Sequence, residues 1–80
     1  MKIRFYGRLG DRLGQEVEVD LPPGAETVID LRELLAGMFP HASSDLRERS
    51  RACVADSFVL DDHRLGGTET VEFMPPLSGG

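Results

Sequence analysis

A single cysteine, Cys53, leaves this 80-residue chain without an internal disulfide or a thiolate cluster for a structural metal, so its stability must come from packing. No apolar run is long enough to span a bilayer, and no basic leader with an apolar segment and cleavage site opens the chain. A cytoplasmic protein with no membrane partner is expected. Positive charge is in deficit: nine Lys and Arg face 14 Asp and Glu, giving a net charge of -5. That balance speaks against nucleic acid, whose phosphates demand clustered cations, and favours a protein partner with a basic face. A phosphate-cradling G-x-x-x-x-G-K-[ST] loop is also missing, so the chain binds no ATP of its own. No nucleophile, base and orienting group stand at a spacing that makes a freestanding enzyme. His41 and His63 lie in polar segments without a partner at metal-ligand spacing and read as surface residues.

Eighty residues bury only about 60% of their unfolded surface or slightly more, which permits one core and one domain. Met1 to Tyr6 alternates with period two, placing Met1, Ile3 and Phe5 on one face of a half-buried strand. Gly7, Gly10 and Gly14 interrupt it, and Glu16 to Leu21 resumes the alternation with a solvated acidic face, so a hairpin closed by a loop is expected. Pro22-Pro23-Gly24 ends the second strand. Thr27 with Asp30 three residues later is an acidic capping box, and Val28, Leu31, Leu34, Leu35 and Met38 recur at helical spacing, with Gly37 and Pro40 ending the helix. Residues 41–51 are polar and loop-like, with Ser43 or Ser44 able to cap a short helical turn before Asp45 and Leu46. Two short strands, Ala52 to Ala55 and Phe58 to Leu60, flank an Asp56-Ser57 turn, and Thr70 to Met74 is a last strand after Gly66-Gly67. The element order predicts an α+β, ubiquitin-like β-grasp domain over residues 1–74, a mixed sheet covered on one face by one main helix.

Residues 75–80 form a different kind of segment, Pro75-Pro76-Leu77-Ser78-Gly79-Gly80. Two prolines fix φ and remove two backbone donors, so the last strand cannot continue and an extended tail should follow, reaching at most roughly 20 Å. Terminal glycines pass through narrow channels because they carry no side chain. A free α-carboxyl, with an ordinary pKa of about 3.5, is an ionised and poor electrophile until it is activated. Adenylation makes a mixed anhydride from which a sulfur nucleophile can displace AMP and leave a thiocarboxylate. At an average glycine usage near 7%, a Gly-Gly ending arises by chance in roughly one chain in 200, so the weight falls on its combination with the Pro-Pro pair, the closing strand and the short chain.

Val71 to Gly80, with its Phe-Met-Pro-Pro-Leu-Ser-Gly-Gly ending, resembles the end of the molybdopterin synthase small subunit, the MoaD family within the MoaD/ThiS sulfur carriers. Lys2 to Gly7, the Thr27-Val28 start of the helix, and Asp62-His63-Arg64-Leu65 are similar at corresponding places, so the likeness spans the chain. The Asp56-Ser57 turn departs from an Asn-containing turn common in that family. The resemblance implies that Gly80, supported by Gly79, is adenylated by an E1-like partner using ATP, converted to a thiocarboxylate by a sulfurtransferase or desulfurase system, and delivered to the large synthase subunit. Sulfur then passes to cyclic pyranopterin monophosphate. No cofactor is bound by this chain in that scheme. Carriers for thiamine, cysteine or tRNA thiolation, and ubiquitin-like protein modifiers, share the same tail chemistry; the Pro75-Pro76 pair leans toward molybdopterin synthase by resemblance.

Strand parity puts Tyr6 and Met74 on the face opposite Ile3, Phe5, Val71 and Phe73, with Phe58 aligned as a third member. The resemblance places these three, and the tail residues Pro75, Pro76, Leu77 and Ser78, where the family meets its partners. Cys53 lies in an apolar strand without a cationic neighbour in sequence and reads as a packed, inert thiol.

Overall fold

The computed structural model describes residues 1–76, in which five strands form one mixed sheet: β1 (Lys2–Phe5), β2 (Glu16–Glu18), β3 (Arg51–Val54), β4 (Ser57–Val59) and β5 (Thr70–Met74). Their order is β2-β1-β5-β3-β4. The central pair, β1 and β5, is parallel and the others are antiparallel. Parallel neighbours need a crossover rather than a tight turn, and the helix α2 (Val28–Met38) lies on that connection. Ile3, Phe5, Val71 and Phe73 alternate into the core as expected, where Val28, Leu31 and Leu35 of α2 are fully buried against them. The Phe5 ring stacks on Phe73 at 6.2 Å and meets Phe39 edge-on at 6.4 Å. Each such buried side chain contributes about 1.5–3 kcal/mol before chain entropy is counted.

The capping box forms: the Asp30 N–H donates to Thr27 Oγ1 at 3.5 Å, and the Asp30 carboxylate accepts from the N–H of Glu26 at 2.8 Å and of Thr27 at 3.1 Å. Those backbone donors hold the Asp30 carboxyl below the usual carboxylate range. Glu69 is held low in the same way, chiefly by the Gly66 N–H, with Gly67 and Thr68 also donating. A depressed folded pKa stabilises the fold above the unfolded value, about 4, and the contribution disappears as pH falls through the folded value. Thermal stability should therefore decline between pH 5 and pH 3. In an Asp30→Asn, Glu69→Gln double variant the decline should be shallower; melting curves of equal slope for both proteins would remove these carboxylates from the account.

Several expectations need correction. The β1–β2 connection is a helix, α1 (Arg8–Leu13), and not a loop, because Leu9 is drawn into the core. Gly10 is there for space rather than as a breaker: a Cβ would stand 2.9 Å from the Phe5 carbonyl oxygen, so α1 lies directly against the β1 backbone. Residues 40–48 are also helical, a 3-10 turn at Pro40–Ala42 followed by α3 (Ser43–Glu48). Ala42 is the residue before α3 and no side chain caps it, so neither Ser43 nor Ser44 has the capping role; burial of Leu46 and Asp45 fastens the helix instead.

Within α2, Met38 leaves the predicted stripe and is 44% exposed, since Phe39, one residue on, occupies the core position against Phe5. Gly37 lies inside the helix. The turn between β3 and β4 is centred on Ala55 and Asp56 rather than Asp56 and Ser57. Both adopt left-handed φ, 51° and 65°, as a two-residue hairpin loop matching the sheet twist requires. Ser57 thus belongs to β4, and Leu60 stands outside the sheet, 78% exposed.

Arg32, on the helix that covers the sheet, is only 5% exposed, a burial that its charge does not announce. Its guanidinium donates to Asp61 Oδ1 at 2.8 Å, the Leu46 carbonyl at 2.7 Å, Ser50 Oγ at 2.9 Å and the Ser50 carbonyl at 2.9 Å, and lies 5.3 Å from the Phe73 ring centroid. One side chain thereby fastens α2 to α3, to the start of β3 and to the segment after β4. Among the described residues no helix is long and apolar enough to cross a membrane.

Candidate functional site

β5 ends at Met74, and Pro75 and Pro76 follow it exposed and outside any strand. Their missing N–H groups are the local reason the ladder stops. Leu77, Ser78, Gly79 and Gly80, the reactive end of the expected tail, lie outside the described residues. Gly7 backs the point where the tail leaves: its φ is +64°, and a Cβ there would stand 2.5 Å from Pro75 Cγ. Both the left-handed backbone and the space demand glycine. The preceding residue, Tyr6, prolongs the β1–β5 pairing by donating its N–H to the Phe73 carbonyl at 3.0 Å.

Beside Pro75 and Pro76 opens a groove of about 370 Å³, lined by the apolar surfaces of Tyr6 and Leu9, the two prolines, and three charged side chains, Arg8, Asp45 and Arg49. Asp45 is 3.9 Å from Arg12, whereas Arg8 and Arg49 enter no ion pair among the described residues. Sequence reasoning missed this groove because its walls are α1, α3 and the residue following α3. The available signal was Gly7, placed directly after a strand and opposite the tail in a parallel register with β5.

The uncovered face of the sheet adjoins this root. The Tyr6 hydroxyl donates to the Glu72 carboxylate at 2.6 Å, which raises the Tyr6 pKa, with burial adding to the effect. Met74 pairs in register with Arg51, whose guanidinium sits 3.6 Å over the Phe58 ring, and Phe58 pairs with Cys53. The register therefore brings Tyr6, Met74 and Phe58 onto one face spanning β1, β5, β3 and β4, with Tyr6 and Phe58 exposed and Met74 half-buried. Cys53 is buried on this outer face rather than in the main core. Burial pushes its thiol pKa up and the nearby Glu72 and Asp56 charges add to the rise, so the nucleophilic thiolate is disfavoured.

Neither histidine joins a site: the carbonyl of His41 accepts from Arg12, and His63 is engaged through its backbone with Val28 and Leu60. Among the described residues no three His, Cys, Asp or Glu side chains come together as a metal site. What the arrangement can do is present a segment, Pro75 onward, from the edge of a partly apolar face and beside a cationic groove.

The family model described as the ThiS family matches residues 3–80. No curated protein sequence matches the chain significantly. Among solved structures, a Pyrococcus furiosus protein assigned as molybdopterin converting factor, subunit 1, superposes with a TM-score of 0.77 over 95% of each chain at 24% identity. SAMP1 from Haloferax volcanii superposes with a TM-score of 0.72 at 21% identity, over 99% of this chain and 97% of its own. At those identities the likeness carries the fold, a ubiquitin-like β-grasp.

Proposed function

Since the chain belongs to the ThiS family, we propose that it is a sulfur carrier whose Gly80 carboxylate is the working group, and that it acts as the small, sulfur-donating subunit of a molybdopterin synthase. The observation that carries this reading is the tail root. The sheet ends at Met74, Gly7 makes room for Pro75, and the remaining residues finish in two glycines. A chain end released from the sheet in this way suits the handing of a carboxyl group to another protein.

In this reading an E1-like partner binds ATP, and the Gly80 carboxylate attacks the α-phosphorus, expelling pyrophosphate. The outer sulfur of a donor persulfide displaces AMP from the acyl-adenylate to give an acyl disulfide, and a second thiol cleaves its S–S bond, leaving the thiocarboxylate and a disulfide on the donor. The large synthase subunit then receives the tail, and sulfur passes to cyclic pyranopterin monophosphate, twice for a dithiolene. The choice of molybdopterin is supported by the Pro75-Pro76 pair ahead of Gly-Gly and by the fold shared with the Pyrococcus protein. A carrier for thiamine-type sulfur transfer is the second reading, favoured by the name of the family itself.

Incubation with the adenylating enzyme, ATP and a sulfur donor should raise the intact mass by the exchange of one oxygen for sulfur, mapped to Gly80. A sulfur adduct on Cys53 with Gly80 unchanged would show that the carrier chemistry is wrongly assigned. Recovery of a synthase large subunit in a pull-down is the expected partner result; recovery of thiazole-forming or tRNA-thiolating proteins alone would install the second reading.

The outer face is proposed as the surface on which the large subunit rests. Replacing Phe58 or Met74 by Asp places a charge in an apolar contact and should weaken that complex by more than about 1 kcal/mol, with circular dichroism unchanged. Unaltered affinity in both variants would return Phe58 and Met74 to ordinary surface residues.

A further inference from the structure

Of the nine Lys and Arg side chains, Lys2, Arg4, Arg12, Arg32, Arg47 and Arg64 each oppose a carboxylate among the described residues, and Arg51 covers the Phe58 ring. The two that remain, Arg8 and Arg49, are both exposed and both line the groove of about 370 Å³ beside Pro75 and Pro76. The one carboxylate among the described lining residues is Asp45, which is buried and faces Arg12 at 3.9 Å. Uncompensated positive charge is therefore gathered at one place on a chain whose net charge is -5.

Both cations stand on fixed backbone. Arg8 precedes Leu9, which is buried in the core, and Arg49 precedes Ser50, whose hydroxyl and carbonyl accept from the buried Arg32 guanidinium. The rest of the lining is the apolar surface of Tyr6, Leu9 and the two prolines. Such a hollow suits carboxylates. A guanidinium presents paired N–H donors that match the two oxygens, and these charge-assisted bonds strengthen where apolar walls displace water. Two guanidinium groups are too few for a nucleic acid, whose affinity comes from many phosphates neutralised at once, and the rest of the chain is acidic. Tyr6 belongs both to this groove and to the outer face, so a protein resting on that face meets the groove at its edge.

We propose that the groove receives an acidic segment of the partner protein, whose Asp or Glu side chains seat on Arg8 and Arg49 while its apolar part lies against Leu9 and the prolines. A partner held in this way grips the chain on both sides of Pro75, by apolar contact on the outer face and by charge in the groove. The acidic body draws a basic partner surface, and the groove demands the opposite sign, so the two signs together fix which way round the partner sits. That this partner is the large synthase subunit rests on the sulfur-carrier reading; the chemistry of the groove does not.

The test begins without a partner, so its outcome is separate from that reading. The full chain, labelled with 15N, is titrated with acetyl-tetraglutamate amide at neutral pH and low salt, and its backbone amide shifts are followed. The amides of Arg8, Leu9 and Arg49 should move most, and the movement should be lost in about 0.5 M salt. Acetyl-tetraglutamine amide should leave them in place. Arg8→Gln with Arg49→Gln should cut the response at least about fivefold, whereas Arg64→Gln, which loses a pair with Glu26, should match wild type. Melting curves confirm that the variants are folded. Affinity for the large subunit should then fall at least about tenfold in the Arg8, Arg49 variant and hardly change in Arg64→Gln. An unchanged response in the Arg8, Arg49 variant, an equal response to tetraglutamine, or its full reproduction by inorganic phosphate would each overturn the proposal. So would amide shifts that depend on protein concentration without peptide, which would make a second copy the occupant, or a large subunit that binds the variant as tightly as wild type. A large subunit that binds neither protein would overturn the molybdopterin reading and not the groove, which the titration decides.

Discussion

Deleting Gly80, or adding one residue after it, should reduce sulfur transfer by at least about a hundredfold while leaving the melting temperature within about 1 °C of wild type. Removing a residue retracts the reactive carbon by about 3.5 Å, and misplacement of even 1 Å can cost about a hundredfold when reacting groups must be held in line. Adding a residue converts the Gly80 carboxyl into a peptide carbonyl with no leaving group. Stability is spared because the sheet is complete at Met74 and the core is closed by Val71 and Phe73. A synthase assay beside melting curves decides the matter: near-normal pterin conversion by either variant would mean that the C-terminal carboxyl is not the working group.

Replacing Arg32 by Ala should destabilise the fold by about 3 kcal/mol. The substitution opens a void over Phe73 and leaves the Leu46 and Ser50 carbonyls and Ser50 Oγ without their guanidinium donor. The Asp61 carboxylate is half exposed and regains water, so the ion pair itself is a minor part of the loss. At about 4–8 °C per kcal/mol for a domain of this size, the melting temperature should fall by at least about 12 °C. Arg32→Met, which restores volume but no donor, should lie between wild type and Arg32→Ala; Arg32→Lys should also fall short, because one ammonium cannot match the planar fork. A loss below about 1 kcal/mol in Arg32→Ala would show that the network is incidental. The variant also bears on the tail root, since Arg32 fastens the end of α3, and α3 and the residue after it provide Asp45 and Arg49 to the groove.

Local chemistry alone determined much of this protein. Period-two alternation at Ile3 and Phe5 and at Val71 and Phe73 is enough to orient two strands, because neighbouring residues on a strand must face opposite ways. Thr27 and Asp30 announce the start of α2, since a capping box is satisfied within four residues. Pro75-Pro76 likewise forbids continuation of β5 whatever surrounds it.

The tertiary structure decided the rest, in each case because the deciding partner is distant in the chain. Gly10 reads as a break in the strand pattern until the Phe5 backbone is seen against it, and Gly7 reads as a loop residue until Pro75 arrives from the other end of the sequence. The helix α3 forms without a side-chain cap because Leu46 finds the core, a gain that no local propensity records. Arg32 has the composition of a surface residue, and only acceptors 14 to 29 positions away make its burial favourable. The same holds for the candidate site: parity assigns Tyr6, Met74 and Phe58 to faces of separate strands, but the strand order β1-β5-β3-β4 is what joins those faces into one surface and sets Arg8 and Arg49 beside the tail. Register and helix docking are properties of the assembled sheet, so contacts made through them cannot be read from the order of residues alone.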